Sequence, residues 1–166
     1  HFDAYWKDVG TIDSLWEANM DCLDPNVPLD LYDPKWKIYS RNPIAPPHFI
    51  SDKAEVENSM VGEGCCIDGE VDYSILFSNV TVEEGAKVRY SIIMPGTTIK
   101  SGAVVEYAIV AENAVIDEGA HVGESPEEID NLDNWGVTVI GEKVTIGKNA
   151  KVKAKEMIDT DVKEEK

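Results

Sequence analysis

The sequence predicts a mainly β protein whose chain coils into a parallel β-helix, and three observations support this fold. A motif of 17 residues recurs from Val71, Val88 and Val105. Within each copy, large aliphatic residues follow one another at steps of 6, 5 and 6 residues, which helical periodicity does not produce. A smaller side chain precedes each large aliphatic residue by two positions, so the two side chains lie on the same face of an extended strand. Three short strands therefore close one coil, and stacked coils bury a face that a single coil could not bury.

The spacing assigns the inward positions residue by residue. The large inward residues are Val71, Leu76, Val82, Val88, Ile93, Ile99, Val105, Val110, Ile116 and Val122. The smaller inward residues are Gly69, Ser74, Val80, Ala86, Ser91, Thr97, Ala103, Ala108, Ala114 and Ala120. Tyr73, Tyr90 and Tyr107 share one position of successive copies, and Asn58 takes that position in a shorter first copy. We expect these residues to stack as an outward ladder, on which a domain or a subunit would dock.

The residues before the repeats differ from them in kind. In residues 1–24, an extended piece leads to a turn at Gly10 and to a helix that Thr11 caps at its N-terminus. The apolar face of that helix needs a partner and comprises Ile12, Leu15, Trp16, Met20 and Leu23. Residues 25–53 are rich in proline and predict an extended linker, with a short strand at Trp36, Ile38 and Tyr39.

The β-helix is expected over residues 54–155, with an acidic loop insertion at 124–136 and a C-terminal tail at 156–166. Within the insertion, Ser125 as N-cap, Pro126 at the first helical position and Glu128 at the third predict a short helical turn. The pairs of a smaller and a large residue then resume, which predicts about one further coil. These pairs are Thr138 and Ile140, Val144 and Ile146, and Ala150 and Val152.

Composition excludes several classes of protein. The 166 residues carry 15 Lys and Arg against 32 Asp and Glu, a net charge of −17. We expect no nucleic-acid partner, because such proteins usually present a basic stripe. No apolar run approaches the roughly 18 residues of a membrane span, and no signal peptide opens the chain, so we expect no membrane partner. Cys22, Cys65 and Cys66 fit neither a disulfide framework nor a zinc site and indicate a cytoplasmic protein, with Cys65 inward and Cys66 outward.

Several strings in the chain resemble a known enzyme family. They are YWKDVGTIDSLWEANMDCL, LYDPKWKIYSRNP, PPHFI, EGC and SIIMPGTTI. Together they are similar to the C-terminal third of bacterial glucose-1-phosphate adenylyltransferase, the ADP-glucose pyrophosphorylase of glycogen synthesis. The resemblance implies a left-handed β-helix of hexapeptide repeats that follows a nucleotide-binding catalytic domain. It also implies an allosteric homotetramer that joins ATP and glucose 1-phosphate into ADP-glucose and pyrophosphate with Mg²⁺.

The family's catalytic machinery is only partly represented. Its Gly-rich nucleotide loop, catalytic Arg, metal-binding Asp and Glu-Lys sugar-binding pair have no counterpart here. The chain begins with His1, so we expect a piece of a longer enzyme, inactive alone, in which residues 1–24 end the catalytic domain. The resemblance implies that Trp6 and Asp8 bind substrate beside the glucose 1-phosphate, and that Asp8 is also catalytic and a Mg²⁺ ligand. Lys7 between them is expected to be a surface residue, and an Asp near a Gly turn also has a purely conformational interpretation.

The charge distribution indicates where regulation would act. Residues 142–166 are the only stretch that is not strongly acidic. In the family, anionic sugar-phosphate effectors bind near the junction of the β-helix and the catalytic domain, so the effector-binding candidates are Arg41, Lys148, Lys151 and Lys153. We also expect a homo-oligomer, because the β-helix offers a long regular flank and the helix in residues 1–24 would lack its domain.

Three other functions stay open at this point. Hexapeptide acyltransferases share the β-helix and use a His as general base, which makes His121 a rival catalytic residue. However, His121 precedes an inward Val, and the first fifty residues resemble none of the N-terminal segments of those enzymes. The second alternative is that the parent protein is a non-catalytic regulatory paralogue, and the third is that it is a nucleotidyltransferase for another sugar phosphate. The Gly-rich loop and the Glu-Lys pair upstream would separate these possibilities.

Overall fold

The computed structural model describes residues 3–37 and 44–164, and these ranges contain one α-helix, three 3-10 helices and eighteen short strands. Helix α1 spans Ile12–Met20, and the 3-10 helices span Asp21–Leu23, Pro126–Glu128 and Leu132–Asn134. In chain order the strands are β1 Phe49–Ile50, β2 Glu55–Glu57, β3 Met60–Val61, β4 Cys66–Ile67, β5 Glu70–Asp72, β6 Ile75–Leu76, β7 Thr81–Val82, β8 Lys87–Arg89, β9 Ile92–Ile93, β10 Thr98–Ile99, β11 Val104–Glu106, β12 Ala108–Val110, β13 Val115–Ile116, β14 His121–Val122, β15 Thr138–Ile140, β16 Thr145–Ile146, β17 Lys151–Val152 and β18 Met157–Ile158. None of the helices in these ranges is long and apolar enough to cross a membrane.

Every third strand enters the same sheet, so the chain forms three parallel six-stranded sheets. Sheet A contains β1, β4, β7, β10, β13 and β16. Sheet B contains β2, β5, β8, β11, β14 and β17, and sheet C contains β3, β6, β9, β12, β15 and β18. Val71 pairs with Val88, and Thr98 pairs with Val115, which is the shift of 17 residues that the repeat predicts. The predicted parallel β-helix is therefore confirmed.

The core runs along the axis of the β-helix. All of the predicted inward residues from Gly69 to Val122 are buried, and so are the three resumed pairs from Thr138 to Val152. Cys65 is completely buried and its thiol donates to the carbonyl oxygen of Phe77, while Cys66 is exposed, as the register predicts. Each coil thus stacks its side chains on those of the next, and the core grows with the number of coils.

The corners between sheets use left-handed backbone conformations. Asn58, Tyr73, Tyr90 and Tyr107 hold the corner from sheet B to sheet C, with φ from 43° to 48°. A side chain with a Cβ atom costs about 1 to 2 kcal/mol in this conformation, so contacts of the side chains must compensate for it. Gly96 holds the corner from sheet C to sheet A, where a Cβ atom would lie 2.4 Å from Oδ1 of Asn113. Glycine avoids this contact, whereas Asn79 and Asn113 hold the equivalent corners of the neighbouring coils.

The ladders extend beyond residues 54–155 at both ends. The N–H of Phe49 donates to the carbonyl oxygen of Cys65 at 2.8 Å, which joins β1 to β4. At the other end β18 pairs with β15, and Val162 forms a bridge with Ile146. Residues assigned to the tail therefore continue the β-helix, and the step of six residues from Val152 to Ile158 is the signal for it. Strand β1 could not be predicted from the sequence, because the prolines just before it favour a linker over a strand.

Residues 25–37, the first described part of the linker, contain no strand. Trp36 lies in a turn instead, and its N–H donates to the carbonyl oxygen of Asp33 at 3.2 Å. The other two residues of the predicted strand, Ile38 and Tyr39, lie outside the described residues. An Asx turn explains the difference at Trp36, because the side chain of Asp33 also accepts from the N–H of Lys35.

The acidic insertion leaves the β-helix between β14 and β15. The hydroxyl of Ser125 accepts from the N–H of Glu127 at 3.3 Å, and Pro126 opens the 3-10 helix, so the predicted helical turn is confirmed. A second turn, Leu132–Asn134, was not predicted. The indole N–H of Trp135 donates to the carbonyl oxygen of Glu124 at 2.8 Å, which brings the two ends of the loop together.

Candidate functional site

Helix α1 begins where the sequence predicts. The N–H of Ser14 donates to the hydroxyl oxygen of Thr11 at 3.2 Å, and the N–H of Thr11 donates to the hydroxyl oxygen of Ser14 at 3.0 Å. This reciprocal capping box satisfies two backbone donors at the helix N-terminus. The predicted N-cap at Thr11 is confirmed.

The apolar face of α1 packs against the outer face of sheet C, except for Leu15, which was predicted to belong to it but is 37% exposed. Met20 of α1, Ile92 of β9, Ile109 of β12 and Val137 are buried together. The partly buried side chains around them are Ile12, Trp16, Leu23, Tyr73 and Met94. The expectation that this face lacks a partner within the chain is wrong. The physical reason is that β9 and β12 carry aliphatic residues on their outward face as well as on their inward face.

The tyrosine ladder forms as predicted and receives α1. The ring centroids of Tyr73 and Tyr90 are 5.2 Å apart, and those of Tyr90 and Tyr107 are 4.8 Å apart with nearly parallel planes. Trp16 of α1 lies 6.0 Å from Tyr107, on which Trp135 of the insertion also packs edge-on at 5.4 Å. The ladder is therefore the surface on which the element before the linker docks.

The extended segment before α1 presents its side chains alternately. Tyr5 and Lys7 are half-buried, whereas Trp6 is 74% exposed and Asp8 is exposed. Because neighbouring side chains of an extended chain point to opposite sides, one side of the segment faces α1 and the other faces solvent. The two residues that the resemblance singles out, Trp6 and Asp8, lie on the solvent side.

A cluster of polar side chains holds the segment against α1. The ammonium of Lys7 lies 3.0 Å from a carboxylate oxygen of Asp21 and 3.1 Å from one of Glu17. The hydroxyl of Tyr5 donates to the same oxygen of Asp21 at 2.9 Å. Lys7 is thus a member of a cluster rather than the plain surface residue expected from the sequence. The alternation of Tyr5 and Lys7 was visible in the sequence, but their partner Asp21 was not.

The charges within this cluster support one another. Burial raises the pKa of Asp21, but hydrogen bonds from Lys7 and Tyr5 outweigh it and hold that pKa below its ordinary value. The hydrogen bond to Asp21 raises the pKa of Lys7 above its ordinary value. Both groups are therefore charged near neutral pH, and the ion pair persists there.

The metal-binding expectation concerns Asp8 alone. Across residues 3–37 and 44–164, no group of three or more His, Cys, Asp or Glu side chains could hold a metal ion. Mg²⁺ takes carboxylate and water oxygens in octahedral geometry, usually with one or two carboxylates and the substrate phosphates. One exposed carboxylate fits a contribution to such a site, but it does not make the site.

The three effector-binding candidates within the described residues lie in the last coil. Lys151 is in β17, while Lys148 precedes it and Lys153 follows it. All three are exposed, and the ammonium of Lys148 forms an ion pair with Glu118. The fourth candidate, Arg41, lies outside the described residues.

The rival catalytic residue His121 faces outward from sheet B. Its Nε2 atom lies 2.9 Å from a carboxylate oxygen of Glu106, a residue with only 8% of its surface exposed. In the ladder, His121 stands between Val104 and Lys151. A partner carboxylate explains the position of the imidazole without a catalytic role, since a buried carboxylate needs a hydrogen-bond donor.

Comparison with known proteins supplies the remaining information. The family described as GlmU-like, C-terminal hexapeptide matches residues 45–140. The chain is 58% identical over 87 residues to the glucose-1-phosphate adenylyltransferase of Bacillus mycoides (strain KBAB4), which is 52% of this chain and 23% of that protein. The same figures apply to the enzyme of Bacillus anthracis. For the enzyme of Geobacillus stearothermophilus the identity is 57% over 88 residues, 53% of this chain and 23% of that protein.

These matches confirm the resemblance to glucose-1-phosphate adenylyltransferases that the sequence shows. The matched part spans less than a quarter of the length of these curated relatives, each covered over 23%. The family match covers strands β1 to β15, which are five of the six strands of each sheet. With three parallel ladders, a hexapeptide register and that match, the chain belongs to the GlmU-like, C-terminal hexapeptide family.

Proposed function

We propose that the chain is the C-terminal regulatory and oligomerisation β-helix, with the end of the catalytic domain, of a cytoplasmic glucose-1-phosphate adenylyltransferase. The whole enzyme makes ADP-glucose and pyrophosphate from ATP and glucose 1-phosphate for glycogen synthesis. The observation that carries this proposal is the exposure of Trp6 and Asp8 on a segment that is held to α1, which itself packs on sheet C. Residues outside this chain supply the rest of the active site. The names of the relatives support the reaction.

The chemistry of the exposed residues fits a sugar-phosphate contact. The carboxylate of Asp8 accepts hydrogen bonds from sugar hydroxyls, and with carboxylates outside this chain it shares a Mg²⁺ ion. That ion, when bound, supplies neutralisation of phosphate charge, on which phosphoryl-group transfer depends. The indole of Trp6 offers a flat apolar surface beside the sugar ring. Neither side chain has a hydrogen-bond or ion-pair partner among the described residues that a ligand would have to displace.

The test is substitution of Asp8 in the full-length enzyme. Asp8→Asn is expected to lower kcat or raise the KM for glucose 1-phosphate at least about tenfold, which corresponds to about 1.4 kcal/mol. Asp3→Asn makes the same change of charge in the same exposed segment and is expected to leave both constants unchanged. Equal kinetics for the two variants would reduce Asp8 to a turn residue and overturn the proposed site.

The inactivity of the isolated chain is part of the same proposal. Since the nucleotide loop and the sugar-binding pair lie elsewhere, purified chain incubated with ATP, glucose 1-phosphate and Mg²⁺ is expected to release no pyrophosphate. Formation of ADP-glucose by this chain alone, detected by chromatography, would contradict the proposed division of the active site.

The regulatory part of the proposal assigns anionic effectors to the last coil. The ammonium groups of Lys151 and Lys153 are exposed and suit a phosphate group, because nearby cations lower the energy of a bound anion. Lys148 lies in the same coil but pairs with Glu118, and the fourth candidate, Arg41, lies outside the described residues. In the full-length enzyme, Lys151→Ala is expected to raise the half-maximal concentration of an anionic sugar-phosphate effector severalfold. Lys53→Ala is the control, because Lys53 lies at the other end of the β-helix and pairs with Glu84. An equal response of both variants would remove the last coil from regulation.

A further inference from the structure

The extended segment that carries Trp6 and Asp8 is held almost entirely by two side chains. In the part of the chain that the structure describes, the backbone of residues 3–9 forms no hydrogen bond with other backbone groups. Its polar links to the rest of the chain are the hydroxyl of Tyr5 and the ammonium of Lys7. Both end on one carboxylate oxygen, that of Asp21. One residue of the helix end therefore sets the position of the segment.

Asp21 stands where a carboxylate is electrostatically unfavourable. It is the C-cap of α1, at the negative end of the helix dipole, where a cation would stabilise the helix. The last turn of α1 contains no basic residue. Lys7 supplies that cation from outside the helix, and it bridges Asp21 to Glu17, which lies one turn earlier on the same face. The ion pair with Lys7 therefore offsets the unfavourable position of the Asp21 carboxylate, and it also attaches the segment to the helix end.

The helix end is itself fixed to the β-helix. Met20, the residue before Asp21, is 6% exposed and packs with Ile92 and Ile109 of sheet C. A chain of contacts thus runs from sheet C through Met20 and Asp21 to Lys7, whose neighbour is Asp8. The Asp21 carboxylate can be removed without opening the core, because the cluster lies at the surface of the helix.

We propose that Asp21 is a positioning residue, which through Lys7 and Tyr5 holds the segment so that Trp6 and Asp8 face the sugar phosphate. This inference rests on the proposed function, since it concerns the same site. It assigns Asp21 no contact with substrate. The alternation of the segment means that the side chains of Tyr5 and Lys7 on one side determine the direction of those on the other.

The experiment is a kinetic double-mutant cycle in the full-length enzyme, with Asp21→Asn, Lys7→Met and the double variant. Each single variant is expected to raise the KM for glucose 1-phosphate at least about threefold while kcat changes by less than twofold. The double variant is expected to raise KM by less than the product of the two single effects, because both single variants break the contact between Lys7 and Asp21. Lys7→Arg, which keeps the ion pair, is expected to restore KM to within about twofold of the parent value. Tyr5→Phe removes only the hydrogen bond from Tyr5 to Asp21 and is expected to raise KM the least.

Asp24→Asn is the matched control, because it makes the same change of charge three residues later. Within residues 3–37 and 44–164, the Asp24 carboxylate accepts only from Asn26. Asp24→Asn is expected to leave KM unchanged. An unchanged KM for Asp21→Asn, in an enzyme whose KM or kcat does respond to Asp8→Asn, would overturn the positioning role and leave the proposed function intact. Additive effects of Asp21→Asn and Lys7→Met would likewise overturn it. No response to Asp8→Asn would instead remove the proposed function.

Discussion

The indole N–H of Trp16 donates a hydrogen bond to the carbonyl oxygen of Tyr90 across 2.7 Å, and the two residues are 74 positions apart in the chain. Tyr90 is a corner residue of the β-helix, and among the described residues no backbone N–H donates to its carbonyl oxygen. Trp16 satisfies that oxygen and at the same time packs near the ring of Tyr107. A polar and an apolar contact from one side chain therefore fix α1 to the corner between sheets B and C.

Trp16→Phe tests the strength of this attachment. The variant keeps an aromatic ring but leaves the carbonyl oxygen of Tyr90 without its donor, so we expect a loss of about 1 to 2 kcal/mol in the free energy of unfolding. Trp36→Phe is the control, because Trp36 is 81% exposed in the linker. Urea denaturation followed by far-UV circular dichroism measures both. Equal midpoints for the two variants would mean that the hydrogen bond contributes nothing.

Ile99→Ala and Lys100→Ala test the inward register. Ile99 is completely buried in the core, so its truncation is expected to cost about 2 to 5 kcal/mol through the cavity left behind. Lys100 faces outward and forms a surface ion pair with Asp117 at 3.1 Å, so its loss is expected to cost no more than about 1 kcal/mol. Chemical denaturation gives both values, and similar losses would refute the assignment of inward and outward faces.

The register could be predicted because it depends on short-range spacing, whereas the docking of α1 could not. Ile99 must face inward because the positions two and six residues away share its periodicity, and that information is local. The aliphatic character of Ile92 and Ile109 on the outer face is visible in the sequence, but their partner is Met20, more than seventy residues earlier. The Lys7 and Asp21 pair is likewise made through space.

The candidate site is less predictable than the fold for a second reason. The position of Asp8 on an exposed edge follows from the alternation of the segment, but its function depends on residues outside the chain. Neither spacing nor composition within these 166 residues contains that information. The family resemblance supplies it, and the kinetic variants of Asp8 test it.

Tyr90→Gly and Tyr90→Ala separate stacking from backbone strain. Both variants remove the ring that lies between Tyr73 and Tyr107, but only glycine adopts a φ of 47° without the steric cost of a Cβ atom. We expect Tyr90→Gly to be more stable than Tyr90→Ala by about 1 kcal/mol. Thermal unfolding of the two proteins checks this. Tyr90→Ala as the more stable variant would contradict the left-handed conformation of the corner.

Glu70 makes the stability of the β-helix depend on pH. Burial raises the pKa of Glu70, but hydrogen bonds from Arg89, at 2.8 Å, and from Lys87 hold it below its ordinary value of 4.5. Since the folded state favours the ionised form, Glu70 contributes stability above its ordinary pKa and loses it as the pH falls through the folded value. The stability difference between the parent protein and Glu70→Gln is therefore expected to shrink from about pH 5 to about pH 3.

Glu63→Gln is the control for the pH series, because Glu63 is exposed and forms no ion pair in the described part of the chain. Its stability difference from the parent protein is expected to stay nearly constant over the same interval. Urea titrations at several pH values measure both differences. A constant difference for Glu70→Gln as well would mean that its ion pairs contribute no net stability.

The last prediction concerns association of copies of the chain. The sequence assigns it to the flank of the β-helix and to the apolar face of α1, but sheet C covers that face except for Leu15. The flank of the β-helix still exposes large apolar side chains, among them Phe49 in β1 and Phe77, which follows β6. Burial of such surface between copies is favourable by about 25 cal/mol per Å². We therefore expect a homo-oligomer that forms through the flank.

A net charge of −17 opposes close approach of two copies. The range of this repulsion falls from about 10 Å at 0.1 M salt to about 3 Å at 1 M, whereas apolar contacts do not weaken with salt. Association through the flank is therefore expected to strengthen as salt is added, and light scattering at about 0.05 M and 0.5 M salt measures it. Phe77→Ser should weaken it, and Leu132→Ser, which changes an exposed residue of the insertion, should not. A monomer at both salt concentrations and high protein concentration would mean that assembly needs surfaces outside this chain.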